Sequence, residues 1–154
     1  MTKDKIMENM MLEILFRGKR MDNGEWVYGY LVENDSDVYR AYIVVAARWE
    51  TDEDGDVIDL IETWAHQVDP ATVGQYTGTT DKNGIKIFDG DILSGVCNRR
   101  NKEYFEVRWS KGNCGFVAGR GVHIRPNMNQ ATMDAYEVAG NIHDNPELLE
   151  ERSL

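Results

Sequence analysis

The sequence predicts a mainly β fold: a compact, barrel-like single domain that ends in a short C-terminal helix. Three observations predict it. Trp26, Tyr28, Tyr30 and Val32 alternate with Val27, Gly29 and Leu31, the period of two that marks a strand. Asn-Gly and Asp-Gly pairs recur at Asn23-Gly24, Asp54-Gly55, Asn83-Gly84 and Asp89-Gly90, and these residues tolerate the positive φ of tight turns. Fourteen Gly against three Pro, with four Trp, seven Tyr and four Phe, suit turns and pleated surfaces better than a helical body.

Taken in order, 1–11 reads as a flexible extension and 12–154 as the folded domain, a size that can bury a core. Leu12 to Arg17 is a short apolar run and the first strand. Asn23-Gly24 joins it to the strand Glu25 to Val32 as a hairpin. Val38 to Ala47 is apolar on both faces after Arg40, which predicts a central strand. Arg48 to Asp56 is an acidic, mobile loop. Val57 to Val68 reads as two short strands with a break near Glu62. Asp69-Pro70 opens one helical turn, with Asp69 as N-cap.

Gln75 to Ser94 then reads as strand, turn, strand, turn, strand. Asn98 to Lys102 is a basic turn. In the strand Glu103 to Ser110, Phe105, Val107 and Trp109 face the core. Lys111-Gly112-Asn113 turns into a strand at Gly115 to Ala118. Gly119 to Asp134 is irregular and polar, a long loop. Tyr136 to Ile142 is the last strand. Asn145 caps a closing helix with Pro146 at its first position, and Leu148 and Leu149 dock it.

The formal net charge of −10 opposes non-specific binding to phosphate backbones or anionic lipid. The densest acidic run is Glu50, Asp52, Glu53, Asp54, Asp56 and Asp59. Against it, Arg99, Arg100, Lys102, Arg108, Lys111, Arg120 and Arg125 gather late in the chain. The plain reading is a solvated edge, where basic residues discourage strand pairing. The alternative is a nucleic-acid face at Arg99, Arg100, Arg108, Arg120 and Arg125, with Trp26, Tyr28, Tyr30, Tyr104, Phe105 and Trp109 as stacking surfaces. Core and cross-strand pairing is the commoner use of such aromatics.

Cys97 and Cys114 form no Cys-x-x-Cys pair and could face each other across a hairpin. Reduced thiols in a cytoplasmic protein are expected. No apolar run approaches the ~20 residues of a membrane span. Asp89 and Asp91 could suggest a carboxylate pair, but Gly90 between them predicts a turn, with Asp91 bonding loop amides. His66, His123 and His143 lack metal-binding spacing, so no metal or cofactor is expected. No glycine-rich phosphate loop precedes a helix.

One set of motifs carries a family resemblance. Gln75-Tyr76-Thr77-Gly78, Asp81-Lys82-Asn83-Gly84 and Ile87-Phe88-Asp89-Gly90-Asp91-Ile92-Leu93 stand mid-chain. Tyr136 to Leu149, containing Gly140-Asn141 and Asn145-Pro146, forms a C-terminal signature. Ile14-Leu15-Phe16-Arg17-Gly18, followed by Trp26 and Gly29, opens the chain. Together these resemble the YopX family of phage and prophage proteins. The resemblance implies a small, β-rich protein carried on a mobile element. It supplies no catalytic residues, so Gly78, Asp81, Asn83, Gly84, Asp89, Gly90, Asp91, Gly140, Asn141, Asn145 and Pro146 read as architectural.

The functional expectation is a non-enzymatic accessory protein that binds a host or phage protein and also associates with itself. A nucleic-acid-binding module and a small metal-dependent hydrolase or nuclease, using Asp89, Asp91 and a histidine, are the alternatives.

Overall fold

A computed structural model describes residues 13–34, 36, 38–97, 101–120, 123–125 and 128–150. The expected flexible extension, 1–11, lies outside them, as do Arg99 and Arg100.

Among the described residues, eleven strands form two antiparallel sheets. The first holds β1 (Phe16–Lys19), β2 (Trp26–Glu33), β3 (Ala41–Thr51), β4 (Val57–Val68), β5 (Gly74–Thr80) and β6 (Lys86–Phe88). Its spatial order is β4-β3-β2-β1-β5-β6. The second holds β7 (Asp91–Cys97), β8 (Asn101–Ser110), β9 (Gly115–Arg120), β10 (His123–Arg125) and β11 (Glu137–Asn141). Its order is β10-β9-β8-β7-β11. The strand-turn-strand-turn-strand reading of 75–94 holds, with Gly84 at φ +78° and Gly90 at φ +87°. The Asp89-Gly90 turn is more than a hairpin bend, because it carries the chain from the first sheet into the second.

Among the described residues the strands do not close into a barrel. Instead the first sheet curls. Arg20 bridges to Val68, and the Asp69 amide donates to the Lys19 carbonyl at 2.8 Å. The end of β4 thus returns to the end of β1, while most of β4 stays unpaired on its outer side. The curl encloses one core of Ala41, Ile43 and Val68, with Phe16, Val27, Leu31 and Val73 packed on it. A second core holds Ile87, Leu93, Phe105, Val107, Ala118, Met133 and Tyr136. The short helix α1 (Gln130–Met133) contributes Met133, and the Asn129 side chain caps it by accepting from the Thr132 amide at 2.9 Å.

Several expectations change. The closing helix is a 3-10 turn, Pro146–Leu149, and Asn145 makes no side-chain cap to it. The Asn145 side chain instead accepts from the Asn141 amide at 3.3 Å, which ties the turn back to β11. Val57 to Val68 is one strand, not two. Its irregular alternation comes from register shifts against β3, between Val44 and Ala46, Arg48 and Trp49, and Glu50 and Thr51. Such bulges disrupt the period of two without ending a ladder. The acidic loop is correspondingly short, because β3 runs on to Thr51. The stretch 119–134 contains β10 and α1 rather than a plain loop. Trp109 is exposed and packs edge-on against Phe116 at 5.2 Å between ring centres, so it does not face the core. Cys97 is opposite Asn101 at the start of β8, and Cys114 lies in the turn after its end. The two cysteines therefore do not face each other across a hairpin. The one-turn helix at Pro70–Thr72 is as expected, with Asp69 accepting from the Ala71 amide at 3.0 Å.

Register defines the two faces of the first sheet. Arg17 lies opposite Tyr28, Tyr30 opposite Val44, and Val44 opposite Ala65, so these share one face. Leu31, Ile43 and His66 share the other. Trp64, two residues from His66, is on that second face. Only Ala41 to Val44 of β3 pairs with β2. Beyond Val44 the β3–β4 hairpin projects as a two-stranded arm, roughly 20 Å long at ~3.3 Å per residue.

Candidate functional site

The site grows from the strand-turn segments that join the sheets. Asp81 is buried and directly follows β5. Its Oδ1 accepts from the Asn83 amide at 2.8 Å and the Ile85 amide at 3.0 Å. Its Oδ2 accepts from the Val138 amide of β11 at 2.9 Å. One carboxylate therefore shapes the Asp81–Gly84 turn and ties it to the second sheet, which is the architectural role expected of an Asx turn. Asn141 acts similarly, accepting from the His143 and Asp144 amides at 3.0 and 2.9 Å. Gly140 leaves room for Asn145, whose side chain a Cβ there would strike.

Asp91 opens β7 and is 1% exposed; Arg17 of β1 is 6% exposed. Asp91 Oδ2 accepts from the Phe88 amide at 2.8 Å, as the sequence suggested. Its Oδ1 approaches Arg17 Nη2 to 2.7 Å. Neither of those two atoms, nor Arg17 Nε, completes a hydrogen bond of good geometry among the described residues. The contact is an ion pair held by charge and by packing. The guanidinium carbon lies 4.7 Å from the Trp26 ring centre and 5.0 Å from that of Phe88, so two aromatic rings pack against the cation. Burial pushes the Asp91 carboxyl above the usual range, and Arg17 opposes that shift. Asp89 is raised by burial and by neighbouring Glu106.

Asp144 backs this arrangement from the C-terminal segment. It accepts from Trp26 Nε1 at 2.7 Å, from Asn141 Nδ2 at 3.0 Å and from Lys19 Nζ. Those donors, Lys19 first, hold its carboxyl well below the usual range. His143 packs at a tilt near Trp26, with ring centres 5.9 Å apart, and burial lowers its pKa.

Outside the ion pair lies a cavity of about 410 Å³, lined by Leu15, Tyr28, Ile85, Phe88 and Val138. Lys86, Arg17 and Asp91 complete the wall. Lys86 Nζ pairs with Glu13 at 2.6 Å, on the exposed rim. The cavity continues onto an uncovered aromatic surface, since Tyr28, Tyr30 and Val32 of β2 stay exposed on the same sheet face. Tyr30 is 67% exposed. The arrangement can bind an apolar group beside a cation. Among the described residues that line it there is no Ser, Thr, Cys or His to form a nucleophile and base pair.

Of the basic residues, Arg108 and Arg120 do not converge in this way. Arg108 lies opposite Val117, three residues from Arg120 on β9, so Arg108 and Arg120 stand on opposite faces of the second sheet. Arg125 is the register partner of Ala118. Among the described residues, no group of three His, Cys, Asp or Glu side chains could hold a metal ion. Also among them, no helix is long and apolar enough to cross a membrane. Sequence reading missed Arg17, which it took as the end of an apolar strand. Its signal was a single cation inside that run, a residue that burial tolerates only with a partner.

A sequence family described as "YopX protein" matches residues 15–150. The crystal structure of protein EF1440 from Enterococcus faecalis is similar, with a TM-score of 0.63 and 25% identity, covering 91% of this chain and 100% of that one. No curated protein matches the chain.

Proposed function

The chain belongs to the YopX family, and from that premise we propose that it is a non-enzymatic binding protein, an accessory protein of a phage or prophage. Its binding surface is the apolar cavity at Leu15, Tyr28, Ile85 and Phe88, together with the uncovered aromatics of β2. One observation carries the reading. Monomeric proteins seldom leave a run of large apolar side chains uncovered beside a formed pocket unless it meets a partner.

The charged residues nearby support binding over catalysis. Asp91 is occupied by Arg17 and the Phe88 amide and is closed from solvent. It would have to break both contacts to serve a metal or a substrate. The net charge of −10 and the opposed positions of Arg108 and Arg120 favour a protein partner over nucleic acid.

Affinity capture from cells carrying the element tests this reading. The wild-type chain retains a protein, and Ile85→Glu, which places a charge at the exposed rim of the cavity, loses it. An identical set of captured proteins for both chains overturns the proposal. Binding to DNA at low salt that fades steeply with added salt would favour the nucleic-acid alternative instead.

A further inference from the structure

We propose that the partner at this cavity is a second copy of the same chain, which inserts Trp64 from the first rung of its β3–β4 arm. The inference rests on the binding-surface reading above and names its occupant.

The arm is an unfinished element. A two-stranded ribbon alone is marginal in water. This one also exposes Val57, Ile58, Leu60 and Trp64, with Trp64 44% exposed and outside both cores. Tryptophan is the residue that most often anchors protein interfaces. The chain therefore carries two uncovered apolar features, an arm bearing an aromatic anchor and a cavity of a size that accepts one.

Register shows that they cannot satisfy each other within one molecule. Tyr28 and Tyr30 are on one face of the first sheet, and Trp64 is on the other. Trp64 points away from its own cavity, so contact between the two needs another chain.

Charge makes the pair complementary. Glu62 lies opposite Arg48 on the Trp64 face, and Asp59 and Glu50 follow along it. Arg48 approaches Glu62 only to 4.0 Å, with both exposed, so that pair gives Glu62 little. The rim of the cavity presents Lys86, whose exposed pairing with Glu13 is readily exchanged. Trp64 in the cavity brings Glu62 of the arm to the rim where Lys86 stands. Two arms facing each other would instead oppose like charges.

The contact joins two different surfaces, so it is head-to-tail. It closes as a ring where the rotation allows, or extends as a filament.

The test is the mass of the purified full chain by light scattering. Wild type forms an assembly. Trp64→Ser and Ile85→Glu are each folded and monomeric, with association weakened at least ~30-fold, as for an interface anchor. Mixing the two variants gives a 1:1 complex, because one intact arm meets one intact cavity. Glu62→Lys also weakens assembly, and adding Lys86→Glu restores it, a readout that holds should Trp64→Ser misfold. A monomeric wild type, or Trp64→Ser assembling like wild type, overturns the inference. A mixture of variants that stays monomeric does so too. If Trp64→Ser still captures a cellular protein that Ile85→Glu loses, the binding-surface reading stands and this inference alone falls.

Discussion

At the scale of single residues, the Arg17–Asp91 pair sets the energetics of the junction. Both groups are nearly closed from water. Removing one partner leaves the other's charge buried and uncompensated, which costs about 3–5 kcal/mol. Arg17→Met is therefore expected to lower stability by that amount in urea unfolding. Arg17→Met combined with Asp91→Asn should lose clearly less than the two singles summed, since the neutral amide still accepts from Phe88. Additive losses would show that the pair is not coupled. Glu137 gives a pH signature. Lys82 at 2.8 Å and Lys102 at 3.3 Å hold its carboxyl down to about 2, from 4.5. A lowered folded-state pKa stabilises fully above the unfolded value and is lost as pH falls through the folded one. The melting temperature should thus fall from about pH 4.5 towards 2, and Glu137→Gln should flatten that fall. Asp89 and Asp91, raised by burial, act in the opposite sense, so the difference between the two proteins isolates Glu137. The Asp81 and Asp91 turns were legible because Asx-Gly chemistry is local. Arg17 was not, because its partner lies 74 residues away in the other sheet.

At the scale of elements, the arm is the most informative departure from the sequence. Strand chemistry in Val57 to Val68 was visible, but its three register shifts blurred the period and suggested two pieces. Periodicity reports which face is buried, and an arm standing clear of the body buries neither. The same logic explains Trp109, whose place in the alternation implied burial at a strand end where no core remains. Since β2 pairs only with Ala41 to Val44, the body does not depend on the arm's far half. Replacing 47–63 with a two-residue Asn-Gly turn should leave the melting temperature of a monomeric chain within a few degrees of the Trp64→Ser protein. A collapse of the fold would mean that the arm supports the curl. Long-range closure decided the architecture too. Turn signals placed the strands, but whether a curled sheet closes depends on the few bonds between β1 and the end of β4.

At the scale of the whole molecule, two cores divide one chain, and the three-residue strand β6 ties the second sheet's core to the first sheet. Ile87 of β6 is part of the core beneath the second sheet, while its neighbour Phe88 packs edge-on against Tyr28, tilted against Tyr76, and shields Arg17. Neither half can loosen without dragging on Ile87 and Phe88. Heating should therefore melt the monomer in a single step, with calorimetric and van't Hoff enthalpies in agreement. Shaving Ile87 to Ala should lower that one peak without splitting it. A chain built this way is expected to have no half-folded resting form, and β6 is the stitch that makes the second sheet's interior and the aromatic face of the first sheet live or die together.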